Sequence, residues 1–158
     1  MNQERLEKPG LLMRGMIWVM PKITPGHVWL YRKLGGRWVN RATGGAPVLL
    51  LTTTGRRSGR PRTVAVGHLR IGDDVFIAGT NGGQPALPSW IYNLRANPSA
   101  VVEIGSERYS TRAEFLDGEE WERHWQRLIK AFPIYAQAQR FSGRKIPLAR
   151  LCRVVGSG

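Results

Sequence analysis

From residue 46 onward, short β-rich segments alternate with glycine-containing turns, and this pattern restricts the fold more than any other feature. Strands are predicted over 48–54, 63–70, 75–78, 101–104, 109–115 and 148–155. The second and third segments, and the fourth and fifth, are joined by short turns and are predicted to form hairpins. The 19 glycines and ten prolines also favour a turn-rich chain over a helical bundle. The pattern therefore predicts an α+β, mainly β fold built on a closed or half-closed barrel.

Two helices are predicted between these strands. Pro88 begins a short helix that ends near Asn97-Pro98, because proline at the first position of a helix loses no hydrogen bond. The second follows Asp117, a candidate N-cap with Glu120 three residues later, and ends at Phe132-Pro133. Its apolar face has the spacing i, i+4, i+7 and i+8 and indicates core packing, with Trp121, Trp125, Leu128 and Ile129.

Residues 1–45 form a region distinct from the predicted barrel of residues 46–158, because basic residues are interleaved there with apolar and aromatic ones. The apolar stretch 11–20, interrupted by Arg14, predicts an N-terminal helix. It is shorter than the roughly 20 residues of a membrane span, and no signal-peptide cleavage site follows it. Two interpretations stay open: a helix packed across the barrel, or an amphipathic helix on an anionic membrane surface.

The formal net charge of +13 favours an anionic partner, which could be nucleic acid, anionic lipid or a polyanionic ligand. The single cysteine, Cys152, cannot form an intrachain disulfide and suits a reducing, cytoplasmic compartment. The three histidines share no ligand spacing with one another or with Cys152, so no metal site is predicted.

The stretch from Thr52 to Arg62 contains four arginines within seven residues, two glycines and three preceding hydroxyls. Arginine holds phosphate or carboxylate through two parallel hydrogen bonds, and glycine lets backbone N–H groups approach an anion. The stretch therefore predicts an anion site, with a solvated basic turn as the alternative. The Gly-Lys-Ser/Thr ending of a phosphate loop and the Gly-x-Gly-x-x-Gly of a Rossmann site are both absent.

Two further segments carry polar groups suited to a ligand. Residues 78–83 run from a strand into a glycine-rich loop that can hydrogen-bond a polar ring edge or a phosphate. In the helix after Pro88, Trp90 and Leu94 share a face and are predicted to pack inward. The residues predicted to line a pocket there are Ser89, Ile91 and Asn93.

In order and spacing, these three segments resemble the deazaflavin-dependent nitroreductase family, whose members are F420H2-dependent quinone or nitro reductases. The resemblance covers roughly residues 48–146, including Phe132-Pro133-x-Tyr135. It implies a split β-barrel of the FMN-binding type, with an N-terminal helix and two further helices. It also implies an oxidoreductase that transfers hydride from reduced F420 to a hydrophobic acceptor such as a quinone or nitro compound. Some members have a membrane-touching helix, which implies peripheral attachment to the inner face of the cell membrane.

The resemblance assigns cofactor-binding roles to eighteen positions: Arg56, Arg57, Ser58, Arg62, Thr63, Val64, Ala65, Val66, Gly67, Ala78, Gly79, Thr80, Asn81, Ser89, Trp90, Ile91, Tyr92 and Asn93. Tyr135 is placed over the acceptor pocket, where it can donate a proton or only shape the pocket. The chain has Asn81 where some members have lysine, and Ala138 where some have a second tyrosine. Because both positions shape the acceptor pocket, the acceptor itself stays open.

Three alternatives remain. An FMN enzyme on the same barrel needs a phosphate site but no extended cradle for carboxylates, so the dense arginines favour F420. A nucleic-acid-binding module is disfavoured, because the arginines cluster in one turn and do not follow a groove with stacking aromatics. A lipid carrier without catalysis is the third.

A homodimer is also expected, because a barrel with open strand edges can pair with a second copy.

Overall fold

A computed structural model describes residues 24–33 and 45–156 of the chain. The described part has six strands: β1 (Val48–Thr54), β2 (Pro61–Ile71), β3 (Asp74–Ala78), β4 (Ser99–Ile104), β5 (Glu107–Phe115) and β6 (Leu148–Arg153). All neighbours pair antiparallel, and the sheet closes in the order β1-β2-β3-β6-β5-β4. The predicted mainly β barrel is confirmed, and it is closed.

Both predicted hairpins are present, with His68 opposite Ile77 in one and Val102 opposite Tyr109 in the other. β2 begins earlier than predicted, at Pro61, because Thr54 and Pro61 already face each other across the β1–β2 pair. A proline is tolerated at the first residue of a strand, where its missing N–H breaks no interior ladder bond. The arginine-rich turn between the strands is therefore confined to residues 55–60.

Four helices accompany the barrel in the described residues: α1 (Thr24–Lys33), α2 (Ser89–Ala96), α3 (Gly118–Ala131) and α4 (Ile134–Ser142). The predicted helices correspond to α2 and α3. α4 is not among the predicted helices, because Pro133 in the sequence indicates only the end of α3. The structure places Pro133 at the N-cap of α4, where proline is tolerated. The helix predicted over residues 11–20 lies outside the described residues.

The capping box predicted for α3 is wrong in one respect. Asp117 occupies the N-cap position, but its side chain makes no capping hydrogen bond. Glu120 instead accepts a hydrogen bond from Arg150 on β6, with an Oε1–Nη1 distance of 2.9 Å. The ion pair between α3 and β6 thus engages the Glu120 side chain in place of a reciprocal bond to the N-cap.

Two apolar layers hold the fold together. Strand residues of alternating direction fill the barrel interior, and α2 closes this core with Trp90, Ile91 and Leu94. Outside the barrel, α3 and α4 pack against the sheet through a second cluster that includes Trp121, Trp125 and Leu128. The apolar face predicted for α3 is the one that is buried. Within residues 24–33 and 45–156, no helix is long and apolar enough to cross a membrane.

Candidate functional site

The arginine-rich turn between β1 and β2 has a compact backbone. The Gly55 N–H donates to the Arg60 carbonyl at 2.8 Å, and the Gly59 N–H donates to the Gly55 carbonyl at 2.7 Å. A Cβ on Gly55 would lie 2.6 Å from Ser58 Oγ and 3.2 Å from the Arg60 carbonyl oxygen, so a larger residue there would displace the turn. Gly59 has φ +65°, a conformation that favours glycine.

Asn93 on α2 holds this turn from below. Its Oδ1 accepts a hydrogen bond from the Arg56 backbone N–H at 3.1 Å, and its Nδ2 donates to Thr53 Oγ1 at 3.0 Å. Asn93 and Thr53 are only 6% and 2% exposed. Buried polar groups of this kind are costly unless paired, so the two bonds tie the turn firmly to α2.

Tyr92, one residue earlier, braces the turn from outside. The Arg56 guanidinium lies over its ring, with 4.3 Å between the guanidinium carbon and the ring centroid. Arginine over an aromatic face is attracted to the ring electrons. The contact sets the direction of the Arg56 side chain at the edge of the turn.

A cleft of about 710 Å³ opens beside the turn, between β1, β2, α1 and α2. Its lining is formed by Val28, Thr53, Gly55, Arg56, Arg57, Ser58, Pro61, Arg62, Thr63, Val64, Ser89, Trp90 and Asn93. The lining contains three arginines and no carboxylate. Among the described residues, none of these arginines forms an ion pair. Such unpaired guanidinium groups favour an anionic ligand.

The structure divides the predicted cofactor-binding residues into three groups. Those that line the cleft are Arg56, Arg57, Ser58, Arg62, Thr63, Val64, Ser89, Trp90 and Asn93. Val66 and Ile91 lie in the barrel core instead. Val66 is on the same face of β2 as Val64 but two residues further along the strand, and Ile91 packs against Gly79. Ala65 and Tyr92 are exposed, and Gly67 faces Val48 on β1.

The third group is the predicted glycine-rich loop, Ala78 to Asn81, which does not line the cleft. It packs behind α2, where a Cβ on Gly79 would lie 2.8 Å from Ile91 Cδ1. Asn81 Nδ2 donates to the Ala86 carbonyl at 2.9 Å, which closes the loop on itself. The loop therefore supports α2 from the side opposite the cleft.

The four lining residues that sequence reasoning missed are Val28, Thr53, Gly55 and Pro61. Thr53, Gly55 and Pro61 lie inside the arginine-rich stretch of the sequence, but only the folded turn shows that they border the cleft. Val28 on α1 is brought there by packing against Val48 and Leu50 of β1. No local pattern around Val28 indicates that contact.

Tyr135 lies in the outer apolar cluster with Trp121 and Trp125, not among the residues that line the cleft. It is 8% exposed, and its ring centroid is 6.2 Å from that of Phe132. Burial raises the pKa of Tyr135 to about 12, so the phenol stays protonated and can only donate or accept as a neutral group.

Cys152 lies on β6 and is not among the residues that line the cleft. Burial raises the pKa of the half-buried Cys152 thiol. Among residues 24–33 and 45–156, no group of three or more His, Cys, Asp or Glu side chains could hold a metal ion.

A closed six-stranded antiparallel barrel with helices packed against it defines a protein of the split-barrel class. The sequence model of the F420H(2)-dependent quinone reductase family matches residues 24–152, and the chain belongs to that family. Membership confirms the predicted enzyme class, an F420H2-dependent oxidoreductase, and its cofactor. The FMN alternative has no support from these comparisons.

Individual relatives agree. An F420H(2)-dependent quinone reductase of Mycobacterium tuberculosis (strain H37Rv) is 34% identical over 130 residues, which span 80% of this chain and 87% of that protein. A solved F420-H2 dependent reductase is 35% identical, with a TM-score of 0.62 over 66% of this chain and 93% of that one. A solved domain-swapped dimer is 32% identical, with a TM-score of 0.62 over 80% and 98% of the two chains.

Proposed function

We propose that F420H2 binds in the cleft and that Arg56, Arg57 and Arg62 hold its phosphate and carboxylates. One observation carries this: three arginines without ion-pair partners in the described residues converge on a cleft whose lining contains no acid. Each guanidinium can bind a phosphate or carboxylate through two parallel hydrogen bonds. The Ser58 and Thr63 hydroxyls add neutral donors beside them.

The cleft fits a ligand with one polyanionic end and one flatter, less polar end. Its volume of about 710 Å³ lies within the range of small-molecule sites. Val28, Val64 and Trp90 supply an apolar wall beside the arginines. The glycine at position 55 keeps the turn compact enough for the backbone to approach an anion.

When bound, reduced F420 supplies the hydride, and the protein supplies position and electrostatics. Asn93 holds the arginine turn at a fixed distance from α2. The arginines would neutralise the anionic end of the cofactor, and the apolar wall of Val28, Val64 and Trp90 would lie against its less polar end.

The proposed acceptor is a hydrophobic quinone, with nitro compounds as a second class. The family and the mycobacterial relative are named for quinone reduction, and the apolar wall of the cleft suits such a molecule. Tyr135 is proposed as a neutral hydrogen-bond donor to the acceptor, which its raised pKa permits. Its position in the outer cluster makes a purely packing role the alternative.

Residues 1–45 are proposed to contact an anionic membrane surface from the cytoplasmic side. Trp29 on α1 is 60% exposed, and Lys33 Nζ lies 4.6 Å from its ring centroid. A tryptophan beside a lysine is typical of a membrane interface.

A homodimer is also proposed, since a solved relative is a domain-swapped dimer.

Two measurements test the function. Titration with oxidised F420, with FMN in parallel, should show tight binding of F420 and weak binding of FMN. The absorbance of F420H2 should then fall on addition of a menaquinone analogue, with a nitroaromatic compound as comparison. Binding of neither cofactor would contradict the cleft assignment. Binding of F420 without turnover of any quinone would contradict the proposed acceptor class.

A further inference from the structure

Arg144 follows α4 and reaches the loop between β3 and α2. Its guanidinium donates to the backbone carbonyls of five residues, namely Gly79, Thr80, Gln84, Pro85 and Ala86. The shortest bond joins Nε to the Pro85 oxygen at 2.8 Å, and Nη2 lies 3.0–3.4 Å from the other four oxygens. Since Nη2 carries two hydrogens, those four contacts are shared. One side chain thus connects the beginning of the loop, residues 79 and 80, to residues 84–86 near its end.

The environment of Arg144 is unusual for an arginine. Among the described residues it forms no ion pair, and its Nη1 is buried without a hydrogen-bond partner. Burial lowers the pKa of the guanidinium, and the nearby Tyr92 phenol opposes that shift. A half-buried charge without a counter-ion loses part of its hydration, and the carbonyl dipoles of the loop compensate for that loss.

The clamped loop is wedged between two helices. On one side a Cβ on Gly83 would lie 3.3 Å from Phe141 Cβ on α4, and on the other Gly79 packs against Ile91 on α2. The clamped part of the loop ends at Ala86, two residues before Pro88, the N-cap of α2. The conformation of the loop therefore sets where the first turn of α2 lies. That helix contributes Ser89, Trp90 and Asn93 to the cleft.

We propose that Arg144 is a positioning residue for cofactor binding, which fixes the 79–86 loop and thereby places α2 against the arginine turn. The inference rests on the proposed function, that the cleft holds F420H2. Arg144 does not line the cleft and acts through the loop and α2. Lysine cannot replace it, because a single ammonium group cannot donate both to the Pro85 carbonyl, which Nε binds, and to the four carbonyls around Nη2.

The test compares Arg144→Ala and Arg144→Lys with Arg140→Ala, which removes an exposed arginine one turn earlier, on α4 itself. The readouts are the Kd for F420 and amide hydrogen exchange of residues 79–86 in the ligand-free protein. Both Arg144 variants should raise the Kd at least about ten-fold, because α2 is no longer held in place. They should also speed amide exchange in residues 79–86, because the loop then opens locally without unfolding of the barrel. Arg140→Ala should change neither readout. About 50 mM guanidinium should restore both readouts in Arg144→Ala, because it can refill the vacated centre.

Unchanged Kd and unchanged loop exchange in Arg144→Ala would overturn the inference. So would a loss shared by the whole barrel that guanidinium does not restore, since that is general destabilisation. If Arg144→Ala does not fold, Arg144→Lys decides: wild-type Kd and exchange would overturn the inference. Arg57→Ala, measured in parallel, separates the two proposals. Weakened binding in Arg57→Ala with normal binding in Arg144→Ala overturns only the role of Arg144, whereas a wild type that binds no F420 overturns the proposed function.

Discussion

Replacing Asn93 by aspartate separates two tasks of this side chain: holding the arginine turn, and keeping the cleft free of negative charge. The carboxylate can still accept from the Arg56 N–H, 3.1 Å from Oδ1 in the native protein. The Thr53 hydroxyl, 3.0 Å from Nδ2, can rotate and donate to the new oxygen. Alanine instead removes both bonds and leaves the two groups without their partner.

Asn93→Ala should therefore mainly lower folding stability, and Asn93→Asp should mainly weaken the binding of F420. Asn93 is 6% exposed, and the loss of two buried hydrogen bonds with unpaired groups left behind costs roughly 2–4 kcal/mol of folding stability in Asn93→Ala. In Asn93→Asp, a negative charge roughly 8 Å from a bound anionic group, at an effective dielectric constant of about 20, disfavours binding by roughly 2 kcal/mol. That penalty corresponds to about a thirty-fold increase in Kd.

Chemical denaturation measures the stability change, and fluorescence titration with F420 measures the Kd. We expect Asn93→Ala to be the less stable variant and Asn93→Asp to be the weaker binder. Asn97→Asp is the matched charge control, because exposed Asn97 is the C-cap of the same helix and its Oδ1 accepts a hydrogen bond from the Ser99 N–H at 3.1 Å, which a carboxylate can also accept. If Asn93→Asp bound F420 as tightly as Asn97→Asp, no anion would bind near Asn93 and the reasoning would be refuted.

Three other predictions concern the rest of the described chain. His68 is 3% exposed, and burial lowers its pKa to about 4, so the folded state keeps it neutral. The free energy of unfolding should be at its full value above about pH 6.5 and fall by roughly 3 kcal/mol as the pH drops towards 4. Denaturation curves measured at several pH values check this. If the free energy of unfolding of His68→Gln fell with pH as steeply as that of the wild type, His68 would not be the cause. Arg32 on α1 binds Glu103 on β4 through two bonds of 3.1 and 2.6 Å, but it is half-exposed. Glu103→Gln should cost less than about 1 kcal/mol yet speed proteolysis within residues 24–33, and an unchanged cleavage rate would show that the ion pair does not hold the helix. Tyr135→Phe should leave the Kd for F420, measured by titration, within about two-fold of wild type, because Tyr135 does not line the cleft. A ten-fold increase in that Kd would instead indicate that the Tyr135 hydroxyl contacts the cofactor.

Features encoded by neighbouring residues could be predicted from the sequence. Alternating apolar residues and glycine turns predicted the strands, and the clustered arginines between Thr52 and Arg62 predicted the turn that borders the cleft. Features that depend on distant residues could not. The bond from Asn93 to Arg56 joins residues 37 apart, and Arg144 contacts a loop about 60 residues earlier. No local pattern distinguishes Arg144 from an exposed arginine.

Ile91 shows a different limit. It shares the first turn of α2 with Ser89, and helical spacing alone did not decide which of them faces the cleft. The structure buries Ile91 completely against Gly79 and the barrel core, while Ser89 lines the cleft. That choice depends on how the glycine-rich loop approaches the helix, which is a tertiary contact.

The most direct test of the cleft assignment is the Kd for F420 of Arg57→Ala compared with that of Arg60→Ala. Both arginines are exposed in the same turn, but only Arg57 lines the cleft. Since each substitution removes one positive charge, general electrostatic attraction weakens equally in both. We predict at least a ten-fold increase in Kd, about 1.4 kcal/mol, for Arg57→Ala and less than about two-fold for Arg60→Ala. Equal effects, or none in Arg57→Ala, would contradict the assignment of F420 to this cleft.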